Sequence, residues 1–239
     1  MPNDKLPTPE RVLVVAAHPD DIEFGASGTV ARWIGEGASA HYLVVTRGDK
    51  GSDDPAADMR QLAELREREQ RAAAAEIGVA GVEFGDEPDG QVEPSLRLRE
   101  RITRAIRELR PEIVMTHDPT VLFVNNEWVN HPDHRAVGQV TVDAVFPTAR
   151  DPLNFRQHLD EGLGPWKVAE LYLWSTNEAN QIVDISGTLE RKIAALEHHR
   201  SQFRDFTETA TWLRRRSEEL GERAGYRAAE GFRRVMLAR

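Results

Sequence analysis

Two short turns hold most of the chemistry this sequence can offer: His18-Pro19-Asp20-Asp21 and His131-Pro132-Asp133-His134. Together they bring three imidazoles and three carboxylates. Nitrogen and carboxylate donors suit zinc or another first-row divalent ion. A catalytic zinc takes three protein ligands and keeps one position for water, which leaves other groups free to act as a base and to stabilise developing charge. A lone His/Asp turn is ordinarily a surface loop or a helix cap. Asp20 or Asp21 would cap a following helix, and Pro19 suits a helix entry. That reading accounts for one aspartate; His18 and the second aspartate are left over. A glycine-rich phosphate site is the competing enzymatic reading, from Gly25, Gly28 and the loop at 48–51, but neither G-x-G-x-x-G nor G-x-x-x-x-G-K-[ST] is present.

Each turn has to be positioned by the element before it. Val12 to Ala17 is a short apolar, β-branched run with no polar alternation, the pattern of a parallel strand buried on both faces. Ligands bind outside the carboxyl ends of such strands. A further strand over 112–116 ends at His117-Asp118-Pro119. From it a loop of about a dozen residues, carrying Asn125-Asn126-Glu127-Trp128, leads to the second turn. If the two strands are neighbours, the turns converge. The other elements read from the pattern are strands over 41–46 and 82–84 and helices over about 29–34, 58–77, 96–109 and 136–145. On the second of these helices Leu62, Leu65, Glu69, Ala73 and Ile77 fall near one stripe. The alternation of strand and helix implies a parallel sheet with helices on both faces and right-handed crossovers. Beyond it come a long loop over 147–166, strands over 168–174 and 181–185 (the second at an edge), a helix over 188–203 capped by Ser186, and a charged helix over 208–223. Residues 226–237 fit a strand or a helix.

Composition narrows the function classes. The 239 residues suit one large α/β domain, with residues 1–10 a flexible lead-in holding three prolines. The absence of cysteine removes disulfides, thiolate nucleophiles and Cys-type zinc sites. A net charge of −9 with both signs interspersed argues against a general nucleic-acid binder. No apolar run approaches the ~20 residues of a membrane span, and Met1 to Lys5 lacks the regions of a signal peptide. A cytoplasmic protein without membrane or nucleic-acid partners is the expectation.

These residues resemble the LmbE-like (PIG-L) family of metal-dependent de-N-acetylases, over nearly the whole chain. Ala17-His18-Pro19-Asp20-Asp21-Ile22-Glu23-Phe24-Gly25 resembles the family's opening motif, and Thr46-Arg47-Gly48-Asp49-Lys50-Gly51-Ser52 its second loop. Arg66 with Glu69, Asp89-Gly90, Arg110-Pro111, Thr116-His117-Asp118-Pro119, His131 through Gly138, His199-x-Ser201-Gln202 and Glu230-x-Phe232 follow in the expected order. The resemblance implies a Rossmann-like three-layer α/β/α fold with a mostly parallel sheet. It implies a hydrolase that removes the acetyl group from an N-acetylglucosamine-type amino sugar or conjugate, using water activated by zinc or by another divalent ion such as Fe2+. His18, Asp21 and His134 are the metal ligands it implies. Asp20 is the general base, His131 oriented by Asp133 stabilises the oxyanion as an imidazolium, and Arg66 and Asp89 hold the sugar. Family members often form oligomers, so a homo-oligomer is a further expectation.

Read on their own, several of these positions have plainer explanations. Arg66 and Glu69 have ordinary surface ion-pair spacing, and Asp89 before Gly90 is a common turn. His117 and Asp118 fit a supporting role or a structural turn equally. His198-His199 reads as a solvated face, with His199 singled out by the family match alone. Phe123, Trp128 and Trp166 suit a sugar pocket or plain packing. The charges over 208–223 suit a solvated face or an oligomer contact. Two other classes compete with the deacetylase: a sugar- or nucleotide-binding module whose His/Asp turns are structural, and a metal-dependent phosphoester hydrolase.

Overall fold

Strand β1 (Arg11–Ala16) is the centre of the molecule, and its sequence shows why. Val12, Val14 and Ala16 enter one apolar cluster, while Leu13, Val15 and Ala17 enter another on the opposite face of the sheet. Side chains on a strand alternate between faces, so a continuous apolar run requires a layer of helices on each side. The computed structural model describes residues 8–238. Residues 1–7, most of the lead-in expected over 1–10, lie outside the described residues. Of the remainder, Thr8 Oγ1 donates to Glu36 and the Glu10 carbonyl accepts from Ser39 N–H.

After β1 the chain forms α1 (Asp21–Gly25), α2 (Ser27–Gly35), β2 (Ser39–Thr46), α3 (Met59–Ile77), β3 (Gly81–Glu87), α4 (Leu96–Leu109) and β4 (Ile113–His117). A small hairpin, β5 (Phe123–Val124) and β6 (Trp128–Val129), precedes α5 (Pro132–Asp143), a π-helical turn at Ala144–Thr148 and a short α6 (Gln157–Asp160). The chain closes with β7 (Glu170–Trp174), β8 (Gln181–Asp184), α7 (Leu189–Glu197), a 3-10 turn at Arg200–Gln202, α8 (Phe206–Ala224) and β9 (Ala229–Met236).

Seven strands form one sheet in the order β3-β2-β1-β4-β7-β9-β8. Strands β3, β2, β1, β4 and β7 are parallel, and β9 runs antiparallel to both of its neighbours. This is the expected mostly parallel α/β sheet. On one face Val30, Ala31 and Trp33 of α2 pack with Ala73, Ala74 and Ile77 of α3. On the other, Leu98, Ile102 and Ile106 of α4 pack with Val137 and Val140 of α5. The chain winds outward from β1 through β2 to β3, then returns to place β4 on the other side of β1. The loops leaving β1 and β4 therefore diverge around a crevice, the place where ligands bind in open α/β sheets.

Four local expectations need correction. The first helix starts at Asp21, directly after the His-Pro-Asp turn, instead of near Thr29. The helical path breaks once at Ala26 (φ −146°, ψ −8°), and only the second piece carries a long enough apolar face to be read by periodicity. Helix α5 likewise starts at Pro132, four residues early, because His131 caps it and Pro132 occupies its first turn. Ser186 does not cap α7; Thr188 holds that position, and Ser186 Oγ donates instead to Asp184 at 2.5 Å. The helix expected over 188–203 stops at Glu197, where the chain turns His199 into the core. Residues 229–236 resolve to a strand.

Candidate active site

The two His-Pro-Asp turns meet in the crevice between β1 and β4. His18 Nε2 lies 3.1 Å from Asp133 Oδ2, 115 positions further along the chain. The rings of His18 and His131 are 4.7 Å apart, and those of His18 and His134 are 5.3 Å apart. Asp21 lies between the two turns, with Oδ2 3.4 Å from His18 Nδ1 and Oδ1 3.0 Å from His134 Nε2. Asp20, Asp21, His18, His131, Asp133 and His134 thus share one site.

Two further residues join it. His117, at the end of β4, places Nε2 3.3 Å from Asp21 Oδ2 and stacks on His134 at 4.1 Å. Asp89 places Oδ1 3.1 Å from His18 Nε2 and takes the Lys50 backbone N–H. Ligand atoms within 4.8 Å of one another occur in three overlapping groups: His18, His131 and His134; Asp21, His117 and His134; His18, Asp89 and Asp133. This density of nitrogen and carboxylate donors fits a divalent cation. The expected ligands His18, Asp21 and His134 each belong to one or more of these groups.

The electrostatics follow from packing these groups at close quarters. Burial works against the charged form of His18, but hydrogen bonds to Asp133, Asp21 and Asp89 outweigh it and raise its pKa well above the usual imidazole value. Burial would also raise Asp21, yet His134 and His117 beside it hold it well below the carboxylate range. Burial, reinforced by His134, pushes His117 down to about 4. Burial is resisted at Asp89 by His18, which takes it down to about 2. Asp20 goes the other way: burial lifts it to about 6 against the pull of the Arg66 guanidinium 3.3 Å away.

The turns are held by different means. Asp20 adopts φ +91°, ψ −25°, unusual for a residue with a Cβ. His131 Nδ1 accepts the Asp133 backbone N–H at 3.2 Å. An accepting Nδ1 fixes the neutral ring with its proton on Nε2. The Asp133 carboxylate meanwhile accepts from Gly90 N–H at 2.7 Å and Val92 N–H at 3.2 Å, and faces His18. His131 is therefore oriented by the backbone of Asp133, and the imidazolium expected from a carboxylate partner gives way to a neutral donor; burial and the nearby His18 and His134 lower its pKa in the same sense. His134 is oriented by Asn130, whose Nδ2 is committed to the Val121 carbonyl so that its Oδ1 faces His134 Nδ1 at 3.3 Å. That places the His134 proton on Nδ1 and leaves Nε2 for a ligand.

Arg66 and Glu69 are not a surface pair. Both are buried on the inner face of α3, and they hold different things. Arg66 donates to the carbonyls of Pro19 and Gly48, and a Cβ at Gly48 would come within 2.4 Å of its guanidinium. The glycines of the second loop thus make room for Arg66. Glu69 accepts from Ser201 N–H and Oγ at 2.8 and 2.6 Å. Trp166 is no part of the site: its indole N–H donates to the Pro111 carbonyl, away from the crevice. Phe123 and Trp128 are exposed on the β5–β6 hairpin, whose Asn125 and Asn126 take positive φ. A cavity of about 700 Å3 opens beside Asp21, His117 and His134 and runs between Trp174 and Trp212. That is within the ~300–1,000 Å3 common to small-molecule sites. Glu127 of the hairpin and Arg216 of α8 stand on its walls.

Sequence reasoning left His117 undecided and missed Asn130. The position of His117 at the carboxyl end of a buried strand was a usable signal. Asn130, four residues before His134, was a weaker one.

The family model for GlcNAc-PI de-N-acetylase matches residues 13–145. The diacetylchitobiose deacetylase of Thermococcus kodakarensis is 32% identical over 97% of this chain and 85% of its own length. The 1D-myo-inositol 2-acetamido-2-deoxy-alpha-D-glucopyranoside deacetylase of Kineococcus radiotolerans is 32% identical over 71% of this chain and 53% of its own. Among solved structures, N,N'-diacetylchitobiose deacetylase from Pyrococcus horikoshii superposes with a TM-score of 0.88 at 30% identity, covering 95% of this chain and 84% of that one.

Proposed function

The chain belongs to the PIG-L (GlcNAc-PI de-N-acetylase) family, and from that premise we propose that it is a metal-dependent hydrolase removing the N-acetyl group from an N-acetylglucosamine-type amino sugar. The relatives named above are deacetylases of such sugars. The observation that carries the reading for this chain is the meeting of both His-Pro-Asp turns around Asp21, with Asp20 beside it in a left-handed conformation.

His18, Asp21 and His134 would hold the ion, and zinc is the ion we propose, with Fe2+ as the alternative. A divalent ion there supplies a water of lowered pKa and polarises the acetyl carbonyl. The protein does the rest. Asp20 takes the proton of the attacking water and returns it to the leaving nitrogen. His131 presents Nε2–H to the carbonyl oxygen as negative charge develops on it. Asp133 fixes His131 through its own backbone N–H and His18 through its carboxylate. Arg66 and Asp89 act on the sugar largely through what they hold: Arg66 is spent on Pro19, Gly48 and Asp20, and Asp89 faces His18 and Lys50. The cavity beside Asp21 receives the sugar and whatever is attached to it. Residues 1–239 are taken as one catalytic unit. No described helix is long and apolar enough to cross a membrane.

The test couples metal analysis to amine release from diacetylchitobiose and from N-acetylglucosaminyl inositol. Wild type should carry stoichiometric metal and release amine. Asp20→Asn should keep the metal and lose turnover by about 100-fold or more, and His134→Ala should lose the ion. Near-normal turnover in Asp20→Asn, or full metal in His134→Ala, would overturn the assigned roles.

A further inference from the structure

A buried chain of hydrogen bonds runs from the Asp20 backbone to His199, and no step above uses it. The Asp20 N–H donates to Gln70 Oε1 at 2.9 Å. Gln70 Nε2 donates to both carboxylate oxygens of Glu23, at 3.1 and 3.2 Å. Glu23 in turn faces His199 Nε2 at 3.2 Å. Gln70, Glu23 and His199 are all 0% exposed.

The chemistry fixes the direction of this chain. The Asp20 N–H only donates, so the oxygen of the Gln70 amide must face it and the amide nitrogen must face Glu23. On the other side of the same peptide unit, Arg66 Nη2 donates to the Pro19 carbonyl at 2.7 Å. The carbonyl of Pro19 and the N–H of Asp20 belong to one planar group. It is therefore gripped from both ends, by residues of a single helix, α3. The residue it precedes has a positive φ, a conformation that persists only where the surroundings over-determine it.

We propose that Gln70 is a positioning residue for the reaction. With Arg66 it clamps the Pro19–Asp20 peptide plane, and that clamp holds Asp20 in the left-handed conformation that aims its carboxylate. Glu23 and His199 keep the Gln70 amide the right way round. The proposal rests on the reading of Asp20 as the base.

The test is a swap of the amide and the carboxylate, read as kcat, KM and bound metal. Gln70→Met keeps the volume and removes the hydrogen bonds to Asp20 and Glu23. It should lower kcat about 10–100-fold, the scale for small misplacement of a reacting group, with KM and metal stoichiometry unchanged. Gln70→Glu sets two carboxylates against each other and should be at least as slow. The exchange E23Q/Q70E restores every bond: the carboxylate moved to position 70 would accept from the Asp20 N–H and from the new amide at position 23, whose oxygen would take His199 Nε2–H. It should recover kcat to within about threefold of wild type, as expected of residues coupled in one network. Wild-type kcat in Gln70→Met overturns the proposal. So does a loss that tracks metal content, or an exchange that folds no better or works no faster than Gln70→Glu. If Gln70→Met does not fold, the exchange decides the matter alone. Asp20→Asn measured alongside separates the two ideas: normal turnover there refutes the base, whereas an inactive Asp20→Asn beside a normal Gln70→Met refutes the clamp.

Discussion

Substituting Glu230 with Gln should destabilise this protein more than any comparable polar change in its core. Glu230 and Lys192 form a buried ion pair at 2.5 Å, with side chains 5% and 1% exposed. The carboxylate is well provided for: Oε1 also takes the Gly28 N–H at 3.0 Å and Oε2 the Thr29 N–H at 2.8 Å. Those amides open α2, where the helix dipole adds to the attraction. Among the described residues the ammonium has one other partner, the Phe24 carbonyl at 2.9 Å. Removing one member of a buried pair costs about 3–5 kcal/mol, and the two removals should not cost the same. In Lys192→Met the carboxylate keeps two backbone donors and the dipole, so the loss falls near the lower end. In Glu230→Gln the ammonium is left with one carbonyl, and an amide NH2 cannot face both helix N–H groups. That loss falls near the upper end. At about 2–4 °C per kcal/mol for a chain of this size, Tm should drop by roughly 6–20 °C across the two variants. Urea unfolding measures both, and the double variant should lose less than the sum of the singles because the stranded charge is gone. A Glu230→Gln within about 1 kcal/mol of wild type, or a Lys192→Met that is the worse of the two, would refute this account.

Three other outcomes follow from the same packing. At Gly25 a Cβ would stand 2.6 Å from the indole of Trp174, itself buried and touching His117, so Gly25→Ala should cost about 1–3 kcal/mol and lower turnover; unchanged Tm and kcat would show that the indole has room to move. Burial lowers the His199 pKa, but the hydrogen bond to Glu23 and the charges of Glu23, Asp20 and Glu69 outweigh it and leave it raised above the usual 6.5. The stability it adds is therefore complete below pH 6.5 and is lost as pH rises through the raised value, so the stability gap between wild type and His199→Asn should narrow from pH 6 to pH 9; a constant or widening gap would contradict it. Chelation of the ion should lower Tm by about 5–10 °C when the metal is present at ~100 times its Kd, since such binding adds about 2.7 kcal/mol; identical melting with and without chelator would mean that no ion is held by the folded state.

The parts of the fold that were legible in the sequence are those set by one-dimensional pattern. The run from Val12 to Ala17 could only be a strand covered on both faces, and the two cores on either side of β1 show the alternation that this requires. Glycine marks and proline stops located α3 and α4 to within a residue or two. What was not legible depends on tertiary partners. The stripe expected on α3 held Leu65 and Glu69; Glu69 is buried, but Leu65 is exposed while Arg66 and Gln70 point inward. A hydropathy pattern assigns charged residues to solvent, and it fails where a helix must supply hydrogen bonds to a strained turn. The hairpin at 123–129 was hidden for a similar reason. Its strands are two residues each, and Asn177 ties them down through Asn125 N–H and the Phe123 carbonyl.

The repeated triplet His-Pro-Asp looks like one device used twice, but the structure makes it two. In the first copy the histidine follows a strand, the proline carbonyl is gripped by Arg66, and the aspartate turns through positive φ with its carboxylate beside the same guanidinium. In the second copy the histidine caps a helix through its own ring nitrogen, the proline enters the first turn, and the aspartate carboxylate is buried against Gly90, Val92 and His18. The difference comes from where the helix begins relative to each triplet. Asp21 turns toward His134 and His117 and leaves Asp20 outside the helix, whereas Asp133 lies inside the first turn of α5, where a carboxylate is favoured by the helix dipole. Local sequence therefore supplied the same three side chains at both places. The topology of β1 beside β4 left the first carboxylate beside Arg66 and buried the second as a support for His18; the proton-transfer role proposed for Asp20 builds on that difference.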